Sequence, residues 1–303
     1  MSLSEIVRVC GGDLYSSGRR ASIPAPGHSR ADRSASLVIG RTGRVIAYSF
    51  GRSTVREILD ELRSHGLIDR AGLPVGASSC PDAGPTVSDH RKRSTALDLW
   101  SYGVPLAGTL SERYLVQRSL PPAIFAEARL LHHPRCPYAV YEARSRTGPA
   151  LMALILDAGG RPTAIELTYL DGLGRRDVRR RISRKTVGVV PPGAYVALSP
   201  LSSHLVVGEG VVTTLSAMAI LGLPGRALLG ARNLPRMVVP EGVGEITIAA
   251  DRGAAGEGAA RQLLEKLTEQ GLGVNLRLPS APHEDFNRML EALMQGRGEG
   301  GQG

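Results

Sequence analysis

Three acidic residues in the last third of the chain have the types and positions of a cation site. Glu209 and Asp251 each directly follow a short apolar run, and Asp285 comes shortly after a third. Carboxylates together with water are the oxygen ligands that Mg²⁺ prefers. A Mg²⁺ site beside a basic surface would serve phosphoryl or nucleotidyl transfer, or phosphodiester cleavage. The alternative is that each acid only caps the helix that follows it.

The elements that must position these acids alternate along the same third of the chain. Apolar runs over residues 205–207, 245–250 and 274–278 predict strands, and the patterns over 213–221 and 256–270 predict helices. This alternation is typical of a parallel α/β sheet flanked by helices. Ligand sites in such sheets lie at the carboxyl ends of the strands. We therefore expect Glu209 and Asp251 to meet at one edge of the sheet.

Charge is distributed unevenly along the chain, whose formal net charge is +9. Residues 71–199 hold 17 cations against 10 acids, whereas residues 200–303 hold 9 against 11. A basic surface beside an acidic pocket suits an enzyme that holds a polyanion while it binds a divalent cation. A solvated charged surface is the alternative interpretation.

Composition excludes several classes of protein. Aromatic residues make up only 4% of the chain, which argues against a surface built on aromatic stacking. The uncharged stretch 186–208 is interrupted by prolines, and 210–225 is too short to cross a bilayer. Since the N-terminus also lacks a signal-peptide pattern, we expect a cytoplasmic protein without a membrane partner.

Cys10, Cys80 and Cys136 form no C-x-x-C pair, so neither a disulfide framework nor a four-cysteine zinc site is predicted.

Motifs in residues 200–292 resemble the Toprim domain, and most closely its branch in primase-related proteins of phages, plasmids and integrated elements. The motifs are Leu205-Val206-Val207-Gly208-Glu209-Gly210, Thr213-Thr214-Leu215-Ser216-Ala217, Ile248-Ala249-Ala250-Asp251, Ala254-Ala255-Gly256 and Asp285-Phe286-Asn287. In that family the glutamate acts as a general acid and base, and a D-x-D pair holds Mg²⁺. The resemblance implies a catalytic role for Glu209 and a metal-binding role for Asp251, with Asp285 as a further ligand.

The sequence departs from this family at one position. The second aspartate of the D-x-D pair falls on Gly253, which has no side chain to bind a metal, and Arg252 adds a positive charge beside it. The resemblance therefore implies a weakened Mg²⁺ site, which Gly253→Asp would be expected to restore. Glu257, one turn into the next helix, is predicted to lie on the helix surface.

Segments before residue 200 resemble the region that precedes Toprim in primases. They cover residues 107–115, 133–138, 168–171 and 184–188. In primases this basic region guides template and nucleotide phosphates toward the metal. The implied nucleic-acid-binding residues are Arg179, Arg180, Arg181, Arg184 and Lys185. Arginine offers phosphate a planar fork and lysine a point charge, although a solvated basic loop is the alternative.

Residues 8–66 resemble the zinc-binding module of these primases with its ligands lost. The C-x-x-H position reads Ala25-Pro26-Gly27-His28, and the second cysteine pair falls within residues 48–52, which contain no cysteine. Only His28 remains of four ligands, whereas zinc needs four, or three and a water. We predict that no zinc binds and that a hairpin over 36–48, with a helix capped by Ser53, holds the module by apolar packing.

The sequence as a whole predicts an α/β protein: a C-terminal Toprim-like parallel sheet flanked by helices, preceded by a small basic α+β domain and a β-hairpin and helix module. The predicted parts are a degenerate zinc-binding-like module (1–70), a linker (71–93), a basic primase-like domain (94–199), a Toprim domain (200–292) and a disordered tail (293–303).

Three hypotheses for function follow, of which the third, a Toprim nuclease, is disfavoured by the resemblance of the front half to primases. The first is a primase-like protein that acts in replication of a mobile element, binds DNA and, if active, joins nucleotides with Mg²⁺. The second is a catalytically decayed relative that serves as a nucleic-acid-binding or replication-accessory module. The pattern G-x-x-x-x-G-K-[ST] is absent, so any helicase partner would be a separate protein.

Overall fold

A computed structural model describes residues 3–299 except 16–17, 31, 41, 50–52, 76–86, 143 and 181. The sequence predictions that involve residues outside this set are the role of Arg181, the environment of Cys80, and parts of the segment 48–52, the linker 71–93 and the tail 293–303. The chain divides into two compact units, Met1–Val87 and Ser88–Gly303.

The first unit is a small antiparallel sheet with two helices. Its elements are α1 (Ser4–Cys10), β1 (Asp13–Tyr15), β2 (Arg20–Ile23), β3 (Ala35–Ile39), β4 (Val45–Ser49) and α2 (Val55–Ser64). The strands pair in chain order, and β3 with β4 is the predicted hairpin. Alternate residues of β3 pack with Ile58 and Leu62 of α2 in one apolar core. The cap of α2 is Thr54 rather than Ser53, because Thr54 and Glu57 form a reciprocal capping box.

The second unit contains six α-helices and nine strands among the described residues. The helices are α3 (Asp89–Ser101), α4 (Leu110–Val116), α5 (Pro122–Phe125), α6 (Val211–Leu221), α7 (Ala254–Glu269) and α8 (Phe286–Glu299), with a 3₁₀ turn at Leu234–Arg236. The strands are β5 (Leu130–Pro137), β6 (Thr147–Leu156), β7 (Pro162–Tyr169), β8 (Arg184–Gly188), β9 (Val196–Ala197), β10 (His204–Gly208), β11 (Gly225–Ala227), β12 (Glu245–Ala249) and β13 (Gly273–Arg277).

These strands form two sheets. The first is antiparallel in the order β5-β6-β7-β8, so β8 lies at one edge. The second has the order β13-β12-β10-β11-β9, in which all neighbours are parallel except β9, which pairs antiparallel with β11. The predicted parallel α/β arrangement is therefore confirmed. A backbone bridge between Leu156 and Tyr195 connects the two sheets.

Apolar layers cover both faces of the two sheets. One core combines Leu99 of α3 and Leu263 of α7 with the even-numbered residues 150–156 of β6. The other combines Leu115 of α4 and Leu215 of α6 with the odd-numbered residues 151–155. We call these the α3 face and the α6 face. Because successive side chains of a strand point to opposite faces, neighbours in sequence are separated by the sheet.

Several boundaries differ from the sequence predictions. Helix α3 begins at Asp89, inside the predicted linker, because the Ser88 hydroxyl accepts the Arg91 backbone N–H and caps it. Helix α8 runs to Glu299, into the tail predicted as disordered from residue 293. Within the part of the chain that the structure describes, no helix has both the length and the apolar character needed to cross a membrane.

Candidate acidic site and basic cavities

The carboxyl ends of β10 and β12 bring two of the three predicted acids to one sheet edge. Gly208 is in register with Ala249, and Ala249 with Arg277 of β13. Glu209 follows β10 directly, and Asp251 comes two residues after β12. Burial raises the pKa of Asp251 to about 7, with further contributions from the charges of Glu209 and Asp285. The three predicted acids therefore lie close enough for their charges to interact.

A glycine in the first turn of α7 makes room for the Glu209 carboxylate. A Cβ atom added at Gly256 would lie 2.8 Å from Glu209 Oε1 and 2.9 Å from the carbonyl oxygen of Asp251. The Ala231 backbone N–H donates to the Glu209 carboxylate, but burial is the larger influence and raises its pKa. The carboxylate is thus held between the loop after β11 and the start of α7.

Asp251 has an unmet requirement for a partner. Its Oδ1 atom is buried and finds no hydrogen-bond partner among the described residues. A buried carboxylate oxygen without a partner is costly, and a cation would relieve this cost. No group of three or more His, Cys, Asp or Glu residues in the described part of the chain is placed to hold a metal by itself. Mg²⁺ in proteins commonly uses one or two carboxylates and keeps several waters, so the residues present fit this ion.

Asp285 has two roles in the structure. Its Oδ1 atom accepts the Arg288 backbone N–H at 2.8 Å, so this carboxylate caps α8, as the alternative interpretation proposed. Its charge also raises the pKa of Asp251, and it lines a small cavity on the α6 face. Asp285 therefore contributes negative charge to the site while one of its oxygens is occupied by the helix.

The backbone at Gly253, where the family has its second aspartate, has a conformation that favours glycine. Gly253 has φ +129° and ψ 154°, a conformation that is essentially restricted to glycine. Its N–H donates to Glu257 Oε1 at 3.2 Å, and Glu257 Oε2 also accepts from Arg261 at 3.1 Å. The Glu257 carboxylate is thus engaged at the start of α7. Arg252 Nε donates to the Pro279 carbonyl at 3.0 Å.

Arg184 shares a cavity on the α6 face with Asp285. It lines a cavity of about 130 Å³ together with Tyr114, Arg118, Arg176, Val212, Thr213, Asp285 and Asn287. The Arg184 Nε atom lies 3.3 Å from Glu166 Oε1, and burial raises the pKa of Glu166. We call this the acid-edge cavity. This cavity brings together Arg184, a predicted nucleic-acid-binding residue, and Asp285, a predicted metal-binding residue.

Two arginines of the acid-edge cavity were not identified from the sequence. Arg118 donates to Asn287 Oδ1 at 3.1 Å, and the buried Asn287 amide donates to the Arg118 carbonyl and to Ser216 Oγ. Arg176 lies just before the predicted nucleic-acid-binding run 179–181. Neither has a local pattern that distinguishes it from the many other arginines, because the sheet topology alone brings it to this cavity.

The other described cations of the predicted basic cluster line a different cavity. A space of about 710 Å³ is lined by Tyr138, Arg146, Tyr169, Asp177, Arg179, Arg180, Ile182 and Lys185. It shares no lining residue with the acid-edge cavity. Lys185 packs 5.4 Å from the ring of Tyr169, which belongs to the core of the α3 face. We call this space the α3-face cavity.

The His28 imidazole contacts the Asp32 carboxylate in the first unit. Its Nδ1 atom lies 3.2 Å from Asp32 Oδ2, four residues further along the chain. It also lines a cavity of about 300 Å³ together with Cys10, Glu61 and His65. These groups are not arranged as a metal-binding set within the described residues. The absence of zinc stays a prediction.

Comparisons with known proteins identify the C-terminal part of the chain. Residues 204–295 match the family model of the Toprim domain, so this region is a Toprim domain, as the resemblance predicted. Toprim domains generally bind Mg²⁺. Residues 90–197 match a family described as a domain of unknown function, DUF7146. A search of curated proteins found no match.

Several solved primase structures are similar to the chain. An Aquifex aeolicus primase fragment with zinc-binding and RNA polymerase domains is 13% identical, with a TM-score of 0.46, covering 99% of this chain and 82% of that one. The primase fragment of the bacteriophage T7 primase-helicase is 17% identical, with a TM-score of 0.41, covering 61% and 70%. A DnaG primase catalytic domain bound to single-stranded DNA is 16% identical, with a TM-score of 0.46, covering 69% and 82%.

Proposed function

We propose that this protein binds single-stranded DNA and joins nucleotides along it with Mg²⁺, as a primase-like protein in the replication of a mobile element. This proposal rests mainly on Asp251, whose buried Oδ1 atom has no hydrogen-bond partner among the described residues. The Asp251 carboxylate interacts with the charges of two others, Glu209 and Asp285. The acid-edge cavity adds arginines beside one of these carboxylates, Asp285. The mobile-element context and a cytoplasmic location rest on the sequence alone, and a separate helicase is a proposed partner.

The acid-edge cavity suits a ligand that carries phosphates. Arg118, Arg176 and Arg184 offer planar donors to phosphate oxygens, and Asp285 lies in the same cavity. Asp251 and Asp285 are the residues that would hold Mg²⁺. When bound, the ion would neutralise charge on the transferred phosphate. An ion on the carboxylates and a phosphate on the arginines would balance the opposite charges of this site.

Glu209 is proposed to exchange a proton with the reacting hydroxyl. Burial raises its pKa toward the pH range in which a general base is most effective. The Ala231 N–H orients its carboxylate, and Gly256 leaves the space that the carboxylate occupies. The residue therefore has the environment and fixed position that proton transfer needs.

Incorporation of labelled nucleotides on a single-stranded template tests this function. We expect incorporation by the wild-type protein that depends on Mg²⁺ and is abolished in Glu209→Gln. Glu257→Gln is the matched control, because it changes a nearby carboxylate that is engaged by the Gly253 N–H and Arg261. Wild-type incorporation that survives Glu209→Gln would contradict the proposed role of this residue.

The backbone at Gly253 favours a second candidate, a decayed Toprim protein that binds DNA without catalysis. A site without the second aspartate has fewer groups to hold an ion than the family pattern provides. This candidate predicts DNA binding that is independent of Mg²⁺ and unchanged in Glu209→Gln. The incorporation assay, together with DNA-binding measurements with and without Mg²⁺, separates the two candidates.

A further inference from the structure

The five predicted nucleic-acid-binding residues do not form one surface. Arg184 and Lys185 are consecutive in the edge strand β8, so their side chains leave opposite faces of the sheet. Arg184 lines the acid-edge cavity on the α6 face. Lys185, Arg179 and Arg180 line the larger cavity on the α3 face, and Arg181 lies outside the described residues.

We infer that the α3-face cavity is a second phosphate-binding site, separate from the acid edge, which holds backbone phosphates of a nucleic-acid strand that passes around the edge strand β8. This inference rests on the proposed function, because it takes the bound polyanion to be single-stranded nucleic acid. The inference adds a second phosphate-binding site, which the proposed chemistry at the acid edge does not require. It also adds a path by which the nucleic-acid strand would connect the two cavities.

A buried acid lies within ion-pair distance of two of the cations before any ligand binds. The Asp177 side chain is 8% exposed, and its two oxygens lie 3.1 Å from Arg179 Nε and 3.0 Å from Arg180 Nε. The Arg180 guanidinium also stacks over the Tyr138 ring, 3.1 Å from its centre. Arginines that are already held in place lose less conformational freedom when a phosphate binds. The site is therefore organised in advance for an anion.

Lys185 has no acidic partner among the described residues. Its Nζ atom donates to the Tyr138 carbonyl at 2.6 Å, and no ion pair with a carboxylate is formed among the residues that the structure describes. Burial lowers the pKa of its amine. With Arg146, the described lining holds four cations and one carboxylate, Asp177. A bound phosphate would supply the negative charge that this cavity lacks.

The position of β8 explains how one strand would reach both cavities. The Cα atoms of Arg184 and Lys185 are separated by a single peptide unit, about 3.8 Å, although their side chains serve opposite faces. Because β8 lies at the edge of its sheet, no neighbouring strand blocks a path around it in the described structure. A nucleic-acid strand that crosses this edge would contact Arg184 on one side and Lys185 on the other.

The chain allows a footprinting experiment of unusual clarity, because it contains only three lysines, Lys92, Lys185 and Lys266. Lys92 pairs with Asp89, and Lys266 donates to the carbonyls of Pro235 and Met237, so both are internal references. The full-length protein would be treated with limiting acetylating reagent, and modification of each lysine measured by mass spectrometry. The probes would be a single-stranded oligothymidylate and, separately, inorganic tripolyphosphate.

We expect the oligonucleotide to reduce acetylation of Lys185 several-fold and to leave Lys92 and Lys266 unchanged. The same protection should persist in Asp251→Asn, because the cavity is separate from the acid edge. The inference is overturned if bound oligonucleotide leaves Lys185 unprotected, if protection is lost in Asp251→Asn, or if tripolyphosphate protects Lys185 and the oligonucleotide does not. Protection by both probes supports it.

Salt dependence gives a second readout that does not rely on lysine chemistry. Arg179, whose side chain is 80% exposed, can be replaced by glutamine with little risk to folding. Arg179→Gln should lower the log–log salt slope of oligonucleotide binding by about 0.7, the value for one phosphate contact on a single strand. Arg161→Gln, at an exposed turn, is the control and should leave the slope unchanged.

The experiments distinguish failure of the second phosphate site from failure of the proposed function. If the wild-type protein binds no oligonucleotide, the proposed function and this inference fail together. If it binds and Arg184→Gln lowers the salt slope, but Arg179→Gln has no effect and Lys185 stays reactive, only the second site is wrong.

Discussion

The acid edge of the Toprim sheet and the basic segment around β8 show opposite relations between sequence and space. Glu209 and Asp251 are 42 residues apart in the chain, yet parallel strands bring them to one edge. Arg184 and Lys185 are adjacent in the chain, yet an antiparallel edge strand sends them to different cavities. Distance along the chain is therefore a poor guide to which charges act together, and strand direction and alternation are better ones.

The largest expected effect concerns Gly253, where the acid edge departs from its family. The sequence alone suggested that Gly253→Asp would rebuild a metal ligand. At φ +129° this substitution is strained, and we now expect it to cost about 1–3 kcal/mol of unfolding free energy. Thermal or urea unfolding of the variant measures the cost. Wild-type stability together with tighter Mg²⁺ binding would show that the loop accepts an aspartate and that the strain argument is wrong.

Substitution of two glycines in α7 tests whether the Glu209 carboxylate needs the space around it. Gly256→Ala places a methyl group where Glu209 Oε1 and the Asp251 carbonyl approach, so we expect Mg²⁺ affinity to fall by about tenfold, or ~1.4 kcal/mol. Gly258→Ala is the matched control, because nothing lies within 4 Å of an added Cβ there. Both changes favour the helix by similar intrinsic propensity. Equal Mg²⁺ affinity in the two variants would show that the space at Gly256 does not matter for Mg²⁺ binding.

The raised pKa of Asp251 predicts a pH dependence specific to the acid edge. An acid whose folded-state pKa is raised stabilises the protein at low pH and loses this contribution as the pH rises from about 3.8 to about 7. Metal-free protein should therefore lose more stability over this range than Asp251→Asn does. Paired melting curves in a chelating buffer measure the difference. Parallel curves for the two proteins would mean that Asp251 ionises normally.

The smallest expected effect belongs to a single arginine of the acid-edge cavity. Arg176→Gln should lower the salt slope of single-stranded DNA binding by about 0.7. Arg261→Gln, an exposed cation on α7 that pairs with Glu257, is the control. An unchanged slope in Arg176→Gln would restrict the phosphate contacts of this cavity to Arg118 and Arg184.

The parallel sheet and its acids were accessible from the sequence because they follow from apolar runs and from the residue that ends each run. The conformation of Gly253 was not accessible, since a glycine's φ angle depends on the loop that it closes. The division between Arg184 and Lys185 was missed because residues 184–188 carry too few apolar side chains to indicate a strand. Arg118 was missed because its contacts with Asn287 join segments 169 residues apart.

Calorimetric titration of the metal-free protein with Mg²⁺ tests directly whether the acid edge binds magnesium. The titration is made at a pH above 7, because Asp251 is then largely ionised. Wild type and the control Glu257→Gln should show saturable Mg²⁺ binding, and Asp251→Asn should show none. Binding that is absent from the wild type, or equally strong in Asp251→Asn, would contradict the assignment of the acid edge as a magnesium site.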